Sequence, residues 1–381
     1  MKKQMSRALR AIMALALALA FLPLGGCMEE IVISVEAEGD MSVIFCDSGD
    51  AYVFGAESPA FYLPSETEAR DVTAPEKFTM LKGPIDVATG EKFAVWLTVD
   101  GMFMVGDERY VPHSPGTMLS SKKIERPAKI MYSGAENTIP AGDLSYDVVL
   151  IDVDLSDVTQ VEASRNMIFV LKKDGTVYSW GNDPLGWIPN PLSVGDLTGI
   201  AQIAVSNNEK YLAALDMNGN IWTWNLHVVP SRLNGASNMI QVVCTNNEYV
   251  ALDTEGKVWT WSYETEPVAD ETLPRIMNIV AGLDFHAAVD ADGNVWTRGA
   301  NDSCQLGRDT GGEASDEFAK VEGITGVIAM NAGYRHMIVI RKDGTVWAWG
   351  SNSSGQLGNG ATDDSLKPVQ LPSLTTRVNL R

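Results

Sequence analysis

Residues 336–360 read HMIVIRKDGTVWAWGSNSSGQLGNG. An alternating apolar run ends in Asp343-Gly344, a second run carries Trp347 and Trp349, and Gly350, Gly355, Gly358 and Gly360 follow. The glycines invite comparison with a phosphate-binding loop. Such a loop needs a following Lys-Ser/Thr and a helix N-terminus to hold the anion. Here they lead into ATDDSLKPV, acidic and without a helix signal, so they read as turns at the ends of strands.

The stretch recurs. A turn glycine followed by an aromatic alternation stands at Gly49, Gly101, Gly175, Gly219, Gly256, Gly293 and Gly344, with spacings of 52, 74, 44, 37, 37 and 51 residues. Upstream of each turn lies an apolar strand, a small-residue bend and a second strand, as in VIAMNAGYRHMIVIRKDG before Thr345. Asp-Gly and Asn-Gly pairs supply the positive φ of two-residue hairpins, and Val, Thr, Trp and Tyr suit a pleated surface. Thirty-seven residues hold four short strands with their connections. The pattern predicts an all-β fold, a seven-bladed β-propeller of four-stranded antiparallel blades.

The last copy resembles a repeat of the regulator of chromosome condensation family. It carries the family's Ala332-Gly333, His336, Asp343-Gly344, Val346-Trp347, Trp349-Gly350, Asn352 and Gly355-Gln356-Leu357-Gly358. The sixth copy keeps Asn301 and Gln305-Leu306-Gly307, with Cys304 at a glycine position and Phe285 at the histidine position. The fourth and fifth lack the Gly-Gln-Leu-Gly loop, which accounts for their short spacing. The resemblance implies a seven-bladed propeller over Val32 to about Leu374, with the repeat histidine as a structural hydrogen-bonding residue. Most tryptophans recur at equivalent positions and read as packing between blades. Trp187, in the loop-like NDPLGWIPNP, is a candidate contact residue.

The chain opens with a different signal. Lys2, Lys3, Arg7 and Arg10 precede an uncharged apolar run from Ala11 to Leu22, too short for a spanning helix and matching the core of an export signal. Leu24-Gly25-Gly26-Cys27 resembles a bacterial lipobox, which implies a signal peptide at 1–26, lipidation of Cys27, and a tether at 27–31 before the propeller at 32–381. The expected location is the extracytoplasmic face of a bacterial cell membrane. Without the signal, 25 basic residues face 49 acidic ones, a net charge of −24 that disfavours nucleic acid. Cys46, Cys244 and Cys304 leave room for one disulfide and form no Cys-x-x-Cys pair.

Catalytic and metal signals are weak. His113, His227, His286 and His336 share no ligand spacing, and Asp290-x-Asp292-Gly293-Asn294 lacks the downstream ligands of a calcium loop. The reading is therefore a non-enzymatic, monomeric scaffold without cofactor or metal, binding an unidentified protein at the cell envelope. Bacterial relatives of the propeller include an inhibitor that caps β-lactamases with its loops. Binding of, or action on, cell-wall glycan is the alternative, and guanine-nucleotide exchange follows only from the eukaryotic namesake. Candidate contact surfaces are the loops of blades six and seven and an insertion at about 107–157. The insertion holds a basic cluster of Lys122, Lys123, Arg126 and Lys129. The tail TTRVNLR is a candidate closing strand for the first blade.

Overall fold

The computed structural model describes residues 32–46, 50–55, 72–78, 84–90, 93–98, 101–106, 129–132, 135–138, 157–183, 186–195, 197–226 and 228–371. Every regular element among them is a strand. Six four-stranded sheets and one three-stranded sheet each take their strands from consecutive sequence, paired antiparallel. The first strands of all seven touch one another in cyclic order, and that of the last sheet meets that of the first. The molecule is a closed β-propeller whose first strands line the axis.

The expectation of seven four-stranded blades is corrected in one place. Sheet two has three strands, Pro84–Thr89, Phe93–Thr98 and Gly101–Gly106. The residues that would continue it, 107–128, lie outside the described ones. Strands Lys129–Tyr132 and Ala135–Thr138 of the insertion pair with each other and not with sheet two.

The hairpins also differ from the two-residue form. Gly293 N donates to Asp290 O (3.0 Å) while Asp290 N donates to Asn294 O (3.0 Å), and Gly293 alone carries the positive φ, 78°. This is a three-residue loop ending in a left-handed glycine. Gly175, Gly219, Gly256 and Gly344 repeat it. The aspartates hold the loop from the side instead of supplying its left-handed backbone.

Second strands are the most buried, with Phe285–Asp290 and Tyr249–Asp253 fully enclosed. Apolar clusters lie between neighbouring sheets, and one joins Ile44 and Phe54 of sheet one to Ile338 and Leu357 of sheet seven. Trp180 and Trp349 are buried, as expected of inter-blade aromatics. Ring closure uses the last repeat's own loop. Ser42 Oγ donates to Gln356 O (2.9 Å) and pairs with His336 Nε2 (2.8 Å), and Gly360 N donates to Thr73 O (2.8 Å). Sheet one already has four strands from Val32–Phe78, and the tail proposed to close it lies outside the described residues.

Candidate binding face

The ring has two ends. The Asp-Gly turns and the starts of the inner strands form one, called here the turn face. The bends between first and second strands and the long loops after the third strands form the other, the loop face.

At the loop face the bends are stitched to one another around the axis. Arg165 N donates to Asn207 O, Asn208 N to Asn246 Oδ1, Asn246 N to Leu283 O, Leu283 N to Tyr334 O, and Tyr334 N to Gly39 O. These bonds tie sheets three to seven, and seven to one. Tyr334 then reaches across the axis, its Oη donating to Asn207 Oδ1 at 2.7 Å. The cavity left there is about 80 Å³, lined by Gly39, Glu162, Asn207, Asn331 and Tyr334 among others. That is room for a few waters, well below the ~300 Å³ of small-molecule pockets.

In sheets six and seven the loops are rigid for a reason written in their sequence. Asn301 Oδ1 accepts from Leu306 N, and Asn352 Oδ1 from Leu357 N (2.9 and 3.0 Å). Gln305 and Gln356 accept from Ser303 N and Ser354 N, and both leucines are fully buried. Gly307 must be small because a Cβ would stand 2.6 Å from Trp349 Nε1, which itself donates to Gln305 O. Cys304, at the position of Gly355, holds φ at 63° without being glycine. Asp302 meets Arg335 at 2.9 Å, and Asp309, Glu313, Glu317, Asp363 and Asp364 make this arc acidic.

Sheets four and five lack those loops, and aromatic rings occupy the corner. Tyr211 packs on Tyr249 and Tyr263 with centroids 5.0 and 4.8 Å apart, and Tyr249 stacks on Trp261 at 5.3 Å. Tyr263 is 50% exposed, with its hydroxyl directed to Lys210 O and Trp224 O. Beside this ledge, Glu248 lies 3.3 Å from both His286 Nδ1 and Arg298. Burial raises the Glu248 carboxyl above its ordinary range. Burial, then Arg298, push the His286 imidazole down to about 3, so it is neutral.

The ledge escaped the sequence reading, although it had a signal. By their bonds to the preceding bend, Tyr211, Glu248, Phe285 and His336 hold one equivalent position. Tyrosine and glutamate replace the repeat histidine in the two copies that lost the loop. Of the residues singled out from sequence, Cys27, Lys122, Lys123 and Arg126 lie outside the described ones. Lys129 opens a strand opposite Thr138. Trp187 is corrected from loop to strand, Gly186–Ser193, opposite Asn182, because Asn182 and Asp183 extend the third strand past Gly181 to meet it. The side chains of Lys129 and Trp187 are outside the described ones. Cys46, Cys244 and Cys304 form no disulfide with one another, and the first two are buried. Among the described residues no cluster of His, Cys, Asp and Glu has a metal-binding arrangement.

A closed ring of antiparallel sheets with turn-stitched bends defines the class of a repeat β-propeller. Two models described as the regulator of chromosome condensation (RCC1) repeat match residues 327–356 and 343–379. The fold is similar to a chain in the structure of Kap60 bound to yeast RCC1 (Prp20), at 16% identity and TM-score 0.63, over 92% of this chain and 89% of that one. It is similar to Prp20p from Saccharomyces cerevisiae, at 16% identity and TM-score 0.64, over 90% and 87%. Human WBSCR16 matches at 18% identity and TM-score 0.63, over 84% and 93%. Residues 327–379 thus match the regulator of chromosome condensation repeat, and the fold of the chain is similar to that of solved propellers of this kind.

Proposed function

We propose that this propeller is a non-catalytic scaffold, anchored through Cys27 at the extracytoplasmic face of a bacterial membrane, that binds a protein on its loop face. The observation that carries the binding reading is Tyr263, half exposed on a rigid ring, held against Tyr211 and the buried Tyr249 and flanked by acidic loops. Amphipathic aromatics held in place are the usual anchors of protein interfaces, because they bury large area at little entropic cost. The acidic surround selects a partner with a basic patch. Prp20p is described by its binding to Gsp1p and histones, and Kap60 binds yeast RCC1. Propellers of this repeat thus serve as protein-binding surfaces elsewhere.

The test is a crosslinking pull-down from source-organism membranes with residues 28–381 as bait. Parallel baits carry Tyr263→Ala, or a short linker in place of Asp107–Asp157. A protein captured by the wild type and lost with Tyr263→Ala supports the ledge, and one lost only with the linker moves the contact to the insertion. Capture of glycan fragments alone would favour the carbohydrate reading, for which the exposed Tyr263 ring is the supporting feature.

A further inference from the structure

The turn face carries apolar side chains with no role in the ring. Each inner strand begins with an irregularity of register. In sheet six Ile276 pairs with Asp290 and Asn278 with Val289, so Met277 is left over, 53% exposed. In sheet seven Val327 pairs with Arg341 and Ala329 with Ile340, leaving Ile328 52% exposed. Met217, in the turn after the second strand of sheet four, is 55% exposed. All three stand at the same end of the ring, beside the Asp-Gly turns. Exposed Lys173, Arg275 and Lys342 lie among them, with exposed Asp174, Glu255, Asp292, Glu322 and Asp343 beside them.

The chain's entry point fixes which end can meet a membrane. The inner strand of sheet one, Val32–Glu38, begins at the turn face, where Val32 pairs with Cys46 at the end of the second strand. From Cys27 to Val32 is five residues, a reach of roughly 17 Å fully extended. To bring the loop face to the bilayer, the tether would have to travel the length of that seven-residue strand, ~23 Å. The axial route is crossed by the Tyr334–Asn207 bond. The route round the outside adds the width of a four-stranded sheet, ~14 Å. Neither fits.

We infer that the turn face seats on the lipid bilayer, with Met217, Met277 and Ile328 at the headgroup boundary, leaving the loop face for a partner. This rests on the reading of Cys27 as the lipidated residue. Three side chains bind a bilayer weakly alone, but an anchor within 17 Å makes the contact intramolecular, and a small affinity then suffices.

The experiment uses the full chain, processed in a bacterial host and reconstituted in phosphatidylethanolamine–phosphatidylglycerol vesicles containing headgroup-nitroxide lipid. With Cys304→Ser as background, Met277→Cys, Ile328→Cys and, on the loop face, Thr362→Cys are labelled with a fluorophore. Melting curves establish that each variant folds. Quenching at least threefold stronger at positions 277 and 328 than at 362 is the expected result. Equal quenching at the three positions, or stronger quenching at 362, on a chain whose mass shows acylated Cys27, overturns the orientation alone. A chain without acyl mass on Cys27 overturns the anchor reading, and the orientation with it.

Discussion

Single residues show two chemical solutions to one problem, that of holding the turn glycine. In sheets four, five and six an aspartate stands three residues before it. Asp290 Oδ1 accepts from Asp292 N and Asn294 N, and Oδ2 from Asn294 Nδ2 and Trp296 Nε1 at 3.0 Å. In sheet seven the aspartate directly before the glycine binds Thr345, whose Oγ1 accepts from Trp347 Nε1. Burial pushes the Asp290 carboxyl up, but bonds from Asn294 and Trp296 outweigh it and leave the group below its ordinary 3.8. Charge-assisted bonds of this kind are worth about 1.5–3 kcal/mol, so Asp290→Ala should destabilise by about 2 kcal/mol in urea unfolding. Cys304 is the opposite case. A left-handed non-glycine residue costs roughly 1 kcal/mol, so Cys304→Gly should raise the melting temperature by one to a few degrees. Both solutions use residues the repeat pattern displays, but which donor each aspartate serves depends on side-chain direction, and sequence carries no record of that.

Elements couple through the bend and the loop. Gly333 is needed because a Cβ would stand 2.1 Å from the His336 ring, and Gly282 and Gly90 make the same room for Phe285 and Phe93. His336 is fully buried against Ser42, and burial pushes it down to about 4 despite a raising backbone bond at Met41. An imidazole near 6.5 when unfolded is thus neutral in the fold. Its contribution is complete above pH 6.5 and is lost as the pH falls from 6.5 towards about 4. His336→Phe, the residue at the equivalent place in sheets two and six, should flatten melting temperature against pH across that window. It should also lower stability at pH 7 by about 1 kcal/mol for the lost bond. Gly358 belongs to the closure of the ring. With φ at 61° and a would-be Cβ 2.8 Å from Phe54, Gly358→Ala should destabilise by about 2 kcal/mol in chemical denaturation. Blade strands and their glycines were legible because period-two patterns and turn residues are local. The closure was not, since Gln356 meets Ser42 across 314 residues and no local pattern announces the pairing.

As a whole molecule, the ring is closed by side chains and loops of its last repeat, with no interleaved strand among the described residues. Repetition made the architecture readable from Gly49 to Gly344, while the proposed binding face lies where repetition fails, at Tyr211, Glu248 and Tyr263. A family pattern describes what the copies share, and recognition is built from what they do not. The proposed tether at one end and an aromatic ledge at the other give the account its central claim, that a partner meets the loop face. Photo-crosslinking in intact cells of the source organism tests it most directly, with a photoreactive amino acid at position 263 in one strain and 277 in another. The account predicts a discrete protein adduct from 263 and lipid or no adduct from 277. The same protein adduct from both positions, or a protein adduct from 277 alone, would contradict it.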